Sequence, residues 1–248
     1  MIVLDIARNE LRRLCLGPLA WIILALVQFF LAITFFTLLN QYQQAHAAFV
    51  ERGITSTVVA GTLQSAALLL LLVKPFLTMR LISEERRSGT LLLLLSAPVS
   101  IREIVLGKYL GILVFFLLLL AMISLLPLSL VFGTRLDFGI LASGLIGLLL
   151  LSMSFAAIGL FASTLTRHPA MAAALTFTII FLLWIFHVLS NTDNESLAAV
   201  INYLSMQRHL NNLLSGLLRS VDVIYYLLLS GVFVLFSILR LDALRNLE

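Results

Sequence analysis

Residues 104–132 read IVLGKYLGILVFFLLLLAMISLLPLSLVF and carry one charged side chain, Lys108. A helix needs roughly 20 apolar residues to cross the hydrocarbon core of a bilayer, so this stretch predicts a membrane-spanning helix. Five further apolar stretches lie at about 17–39, 58–80, 137–164, 170–190 and 223–240. The sequence therefore predicts an all-α polytopic membrane protein, with six transmembrane helices in a single transmembrane domain over residues 1–248.

The composition of the whole chain supports this class. Hydrophobic residues make up 61% of the 248 residues and charged residues 11%, against about 45–50% and 25% in soluble domains. The mean hydropathy is +1.11. The net charge of +4 comes from basic residues scattered at the ends of apolar stretches, which argues against a nucleic-acid partner. The first stretch exceeds the roughly 7–15 apolar residues of a signal peptide, so we expect an uncleaved span.

The distribution of Lys and Arg predicts which ends of the spans face the cytoplasm. If the spans alternate in direction, twelve of the 16 Lys and Arg fall on one side: Arg8, Arg12, Arg13, Lys74, Arg80, Arg86, Arg87, Arg102, Lys108, Arg167, Arg240 and Arg245. The other side holds Arg52, Arg135, Arg208 and Arg219. Cytoplasmic segments of membrane proteins are enriched in Lys and Arg. We therefore expect a multi-pass protein of the bacterial inner membrane with both termini cytoplasmic.

Two polar segments have an amphipathic pattern. Residues 1–15 place Val3, Ile6, Ala7, Leu11 and Leu14 near one face and the arginines on the other, which predicts a helix lying in the membrane interface. The alternative is a basic leader that only orients the first span. On the opposite side, 191–222 repeats apolar residues at helical spacing: Tyr203, Met206, Leu210, Leu213, Leu214, Leu217 and Val221. This pattern predicts an outer amphipathic helix on or dipping into that interface.

Glycine, serine and proline punctuate the spans. The fourth span contains Gly139, Ala142, Ser143, Gly144, Gly147, Ser154 and Gly159. Small residues let helix backbones approach closely in lipid, so this face predicts a helix contact, within the subunit or between two copies. Pro18 and Pro169 stand where helices can begin, whereas Pro75 and Pro127 lie inside the second and third spans and predict kinks.

Sequence patterns for intramembrane catalysis and metal binding are missing. The four histidines are far apart without the H-E-x-x-H spacing of zinc proteases, and the single cysteine excludes a multi-thiolate metal site. Gly107-Lys108 lacks the first glycine, the Ser/Thr and the preceding strand of a phosphate-binding loop. We expect no enzyme activity, no catalytic residue, no metal and no cofactor on this chain.

Lys74 is the one charged residue well inside a predicted span. An intramembrane cation is by default a candidate functional residue. The alternative is that Lys74 extends its ammonium to the membrane surface, because it lies six residues, or about 9 Å along a helix, from Arg80.

The segment 77–108 reads LTMRLISEERRSGTLLLLLSAPVSIREIVLGK. Four charged residues, Glu84 to Arg87, stand at the cytoplasmic end of the second span, and Ser88-Gly89-Thr90 interrupts the helix. The leucines at 91–95 are too few to cross a bilayer, and Ser100 with Glu103 forms a predicted capping box into the third span. These features predict a cytoplasmic helical hairpin with the charges at its tip, where a soluble partner could bind.

The segment resembles the permease family of type-2 ABC transporters, and particularly its gliding-motility and nitrous-oxide-reductase-maturation branch. The matching residues are Thr78, Met79, Arg80, Glu84, Glu85, Arg86, Arg87, Gly89, Thr90, Pro98, Val99, Val105, Leu106, Gly107 and Lys108. Residues 163–167 (STLTR) resemble the loop between the fourth and fifth spans. Tyr203-Leu204-Ser205, His209, Gly216, Asp222-Val223 and Tyr225 resemble the segment before the last span. Leu92 and Pro169 depart from the family pattern.

The resemblance implies a transmembrane permease domain whose hairpin docks on a separate ATPase subunit that binds the ATP. It implies coupling contacts at Glu84, Glu85, Arg86, Arg87, Gly89, Thr90, Pro98 and Arg167. The alternative is that these charges only end a helix and orient the chain. The other expected partners are a second permease copy or a related permease, membrane lipid, and a periplasmic or membrane accessory subunit. A competing hypothesis is a membrane scaffold of a motility or maturation complex that transports nothing.

Overall fold

A computed structural model describes residues 2–44, 53–91, 99–134, 136–189 and 203–245, with the backbone alone for 187–189. The described helices are α1 (Ile2–Leu16), α2 (Pro18–Gln44), α3 (Ala60–Thr78), α4 (Ser83–Ser88), α5 (Ile101–Ser129), α6 (Phe138–Leu165), α7 (Pro169–Leu189), α8 (Met206–Leu214) and α9 (Ser220–Arg245). A π-helical turn (Thr55–Val59) leads into α3, and a 3₁₀ turn (Leu130–Phe132) follows α5. Within these ranges the chain forms no strand.

Six of the helical stretches are long and apolar enough to cross a membrane: Pro18–Gln44, Thr55–Ser88, Ile101–Phe132, Phe138–Leu165, Pro169–Phe186 and Ser220–Arg245. Each coincides with one predicted span, so the prediction of an all-α protein with six spans is confirmed. The first and last spans extend several residues beyond the predicted bounds. Hydropathy locates the part of a helix that lipid surrounds, whereas backbone hydrogen bonding continues into the polar flanks.

The fourth span, α6, is the central helix of the bundle and packs against α3, α5, α7, α8 and α9. Its small residues make these contacts possible. A Cβ added at Gly144 would lie 2.6 Å from the Leu63 side chain of α3, and one at Gly147 would lie 3.0 Å from Leu213 of α8. The Gly159 position adjoins Thr78 of α3 even more closely. The predicted small-residue face is therefore used within the subunit.

Local signals set several helix ends as predicted. Ser100 Oγ accepts a hydrogen bond from the Glu103 backbone N–H at 3.2 Å, and the Glu103 carboxylate accepts one from the Ser100 N–H at 2.9 Å. Pro18 and Pro169 are the first residues of α2 and α7. Pro75 lies inside α3, which ends three residues later at Thr78. The prolines thus mark where helices begin and where one ends.

The N-terminal helix α1 packs along the first turns of α5. Gly107 and Gly111 open a groove on α5, into which the Ile6 side chain and the backbone at Ala7 fit. The face that we predicted to enter the lipid interface is therefore partly occupied by a helix contact. Sequence periodicity identified the apolar face of α1 correctly, but it cannot distinguish a lipid surface from a neighbouring glycine groove.

We expect Gly111→Ala to destabilise the fold. A Cβ at position 111 would lie 2.8 Å from the Ala7 carbonyl oxygen and 2.8 Å from the Glu10 Cβ, so α1 must move away. Overpacking of this kind costs about 1–3 kcal/mol, which thermal unfolding in detergent measures. Gly231→Ala is the matched control, because a Cβ there meets nothing within 4 Å. Equal unfolding midpoints for the two variants would contradict the close contact.

Candidate functional site

Five charged side chains form an ionic network where α1, α4 and α5 meet: Glu10, Arg13, Glu84, Glu85 and Lys108. The Lys108 Nζ lies 2.6 Å from Glu85 and 3.2 Å from Glu10, and 3% of its side chain is exposed. Arg13 lies 2.6 Å from Glu84 and 4.0 Å from Glu85. Cations and carboxylates thus alternate through the network, which ties three helices together at one end of the bundle.

The α4 helix is also held from α6. Its first turn cannot be capped by its own sequence, because Ile82 occupies the N-cap position. The Ser163 hydroxyl accepts hydrogen bonds from the Ile82 and Ser83 N–H groups at 2.9 and 2.8 Å, and donates to the Met79 carbonyl. The Arg86 guanidinium donates to the Thr164 carbonyl at 3.1 Å. The α4 helix is therefore attached to three other helices, α1, α5 and α6.

The predicted coupling residues divide into two groups. Glu84 and Glu85, predicted at the tip of the hairpin, form ion pairs with α1 and α5, while 40% of the Glu84 side chain stays exposed. The returning arm of the hairpin lies outside the described residues, so their place at its tip stays a prediction. The exposed residues are Arg87, Gly89, Thr90 and Arg167, and Gly89 ends α4 in a left-handed conformation with φ 77°. Pro98 and the returning arm of the hairpin, 92–98, lie outside the described residues.

Lys74 is fully buried, which contradicts the alternative of a side chain extended to the membrane surface. Its Nζ lies 4.5 Å from the ring centre of Phe116 and 5.3 Å from that of Phe155. Among the residues that the structure describes, the Nζ has no hydrogen-bond partner. The face of α3 that carries Lys74 turns towards α5 and α6, so the distance along the helix to Arg80 is irrelevant.

A second polar cluster lies at the opposite end of the bundle, where α8 meets α9. His209 Nδ1 lies 2.5 Å from the Asp222 carboxylate, and His209 Nε2 lies 3.0 Å from the Tyr203 carbonyl oxygen. Both ring nitrogens therefore lie within hydrogen-bond distance of an oxygen atom. Asn212 donates to both Asp222 oxygens at 3.3 Å, and the Tyr225 ring stacks on His209 at 4.2 Å. This cluster fastens α8 to the last span.

The outer helix is shorter than its predicted pattern. It ends at Leu214, and Gly216 at φ 87° turns the chain before α9 begins at Ser220. Leu217 and Val221 were expected on the apolar face of the outer helix but lie beyond it and are exposed. The remaining apolar face packs against α6, where the Ser143 hydroxyl donates to the Leu213 carbonyl at 2.8 Å. The α8 helix therefore dips into the bundle.

Sequence reasoning missed Glu10 and Ser163 as partners of the coupling segment. Glu10 is buried although it stands among charged residues on a helix that the pattern places at a surface. A usable signal existed, since Glu10 and Arg13 are three residues apart and share a helix face. Ser163 carried no such signal, because its role depends on α6 passing beside the start of α4.

In the described residues no three His, Cys, Asp or Glu side chains lie close enough together to bind a metal ion.

No match to the chain is found among the curated proteins. A family model described as "ABC-2 family transporter protein" matches residues 4–242, which include five of the six spans in full, the sixth up to residue 242, and both polar clusters. The chain therefore belongs to the ABC-2 transporter family, as a membrane-spanning permease subunit of an ABC transporter.

Proposed function

We propose that this permease couples ATP hydrolysis by a separate ATPase subunit to the export of a substrate or to mechanical work across the membrane. Domains of its family are membrane components and do not catalyse the hydrolysis themselves. The observation that carries the proposal is the attachment of α4 to three other helices, α1, α5 and α6. Arg13 and Lys108 pair with the first turn of α4, and Ser163 caps it from α6.

Such an attachment can transmit a displacement. The start of α4 is held by the ion pair between Glu85 and Lys108, whose side chains are 19% and 3% exposed, and a pair shielded in this way is stronger than one in bulk water. The α4 helix also follows α3 after a turn of only four residues. A displacement of α4 is therefore passed directly to α3, the helix of the second span. A partner that moves α4 therefore moves α1, α3 and α5 with it.

We assign the docking contact to a coupling surface made of Arg87, Ser88, Gly89, Thr90 and Arg167, which are all exposed. Arg87 and His168 line the same open cleft between α3 and α7, so the two arginines lie at the same end of the bundle. Neither Arg87 nor Arg167 has an ion-pair partner among the described residues. The surface is basic and suits acidic side chains on the ATPase.

We expect the double variant Arg87→Glu with Arg167→Glu to bind the ATPase at least about tenfold more weakly, because like charges then meet across the contact. The ATPase turnover of the complex should fall with it. Both quantities are measured by pull-down and by phosphate release, with the permease reconstituted at equal amounts. Both side chains are exposed, so the variant should fold normally.

The matched control is Arg208→Glu, which reverses an exposed charge at the opposite end of the bundle. It should leave ATPase binding and turnover unchanged. Reversal of Glu84 and Glu85 is a poorer test, since it also breaks the ionic network inside the permease. If the double variant and the control bind the ATPase equally well, the coupling surface is wrong.

We also propose the bacterial inner membrane as the location, with both termini on the cytoplasmic side. The Lys/Arg asymmetry supports this orientation, and the ionic network gathers α1, α4 and the start of α5 at the Lys/Arg-rich end. A second permease copy or a related permease would complete the membrane part. An accessory subunit would bind at the end where α8 lies.

A further inference from the structure

Lys74 is a buried lysine that the coupling mechanism does not use. Its side chain is completely shielded from solvent, and its Nζ has no hydrogen-bond partner in the described part of the chain. The two aromatic rings nearby attract an ammonium, but they supply no acceptor for its three N–H groups. An apolar residue of similar volume would pack there at lower cost, so packing does not explain the lysine.

Lys74 also directly precedes Pro75, which lies inside the last turns of α3. Pro75 has no N–H, and the Thr78 hydroxyl donates to the carbonyls of Lys74 and Pro75 at 3.0 and 3.4 Å. The helix ends at Thr78, and α4 begins after a turn of four residues. The lysine is therefore close in sequence to the segment that the ionic network holds, and a movement of α4 acts directly on its helix.

We propose that Lys74 binds the anionic group of a transported ligand, and that it is uncovered when α3 and α5 move together away from α6. This inference rests on the proposed coupling to an ATPase. The ammonium supplies the charge partner for a carboxylate or a similar anion. Phe116 and Phe155 supply an apolar wall, so the ligand class is an organic anion with an apolar body. The structure is a state in which this site is closed.

The test uses the two lysines of the chain, Lys74 and Lys108. The wild-type permease in complex with its ATPase is treated with a water-soluble acylating reagent, without nucleotide and then with ATP and orthovanadate. Mass spectrometry measures acylation of each lysine. We expect the acylation rate of Lys74 to differ at least about tenfold between the two states, because the open population changes. Lys108 is the internal control, since it is similarly enclosed but ion-paired, and its rate should stay constant.

The anion specificity is tested in the state in which Lys74 reacts. Benzoate should slow the acylation of Lys74, and benzamide, which has the same ring without the charge, should not. Inorganic phosphate distinguishes a general anion site from one that needs an apolar body. Equal protection by benzoate and benzamide, or protection by phosphate alone, would overturn the assigned ligand class.

The outcomes also separate this inference from the proposed function. If the ATPase binds and hydrolyses ATP while Lys74 stays unreactive in both states, the coupling proposal stands and the Lys74 site is wrong. If no ATPase associates with the permease, both proposals fail. If Lys74 and Lys108 become reactive together, the bundle is loosening as a whole, and the specific opening at Lys74 is rejected.

Discussion

Lys108→Met is expected to destabilise the folded permease by about 3–5 kcal/mol, because it leaves two shielded carboxylates without their cation. The carboxylates are those of Glu10 and Glu85, whose side chains are 9% and 19% exposed. Thermal unfolding in detergent, followed by tryptophan fluorescence, should show the loss as a midpoint lower by roughly 10 °C. The loss should appear in the isolated permease, since the network is internal to this chain.

Arg13→Met is the matched control for Lys108→Met. Arg13 is 43% exposed and its partner Glu84 40%, so this pair contributes at most about 1 kcal/mol. Adding Glu10→Gln to Lys108→Met should restore part of the lost stability, because one uncompensated charge is removed. If Lys108→Met unfolds at the same temperature as Arg13→Met, the network contributes nothing to the fold.

His209→Ala is expected to cost about 3–5 kcal/mol, because the Asp222 carboxylate then stays buried without the imidazole that it contacts at 2.5 Å. Asp222 is 2% exposed, and among the described residues its carboxylate then keeps the two hydrogen bonds from Asn212. The stacking of His209 on Tyr225 is lost as well. The α8 helix should separate from α9, and the unfolding midpoint of the purified permease should fall accordingly.

The matched control is His168→Ala, which removes an exposed imidazole near the start of α7 and should change stability by less than about 0.5 kcal/mol. The variant His209→Ala with Asp222→Asn removes the buried charge together with its partner, so it should be more stable than His209→Ala alone. A single variant as stable as the double one would contradict the ion pair.

The structural features that depend only on residues close together in the sequence could be predicted from the sequence. The six apolar stretches predict the six spans, because a bilayer has no water to solvate a broken helix within it. Ser100 and Glu103 predict the start of α5, since both groups of the capping box lie within one turn. Pro18 and Pro169 predict the first residues of two spans for an equally local reason. The exposure of Arg87 and Gly89 agrees with the charged residues and the helix interruption at 88–90, which are also local features of the sequence.

The orientation of the charged side chains and the residues that they contact depended on the tertiary structure. Glu85 pairs with Lys108 because α4 and the start of α5 lie side by side, and Lys74 is enclosed because its face of α3 turns towards α5 and α6. His209 and Asp222 meet across a turn at Gly216, which no helical periodicity connects. The sequence determined which segments cross the bilayer, since lipid acts on each segment separately. Only the packing of the helices decided which charged residues of the described chain form ion pairs and that Lys74 is buried without a hydrogen-bond partner, because such contacts join residues far apart in the sequence.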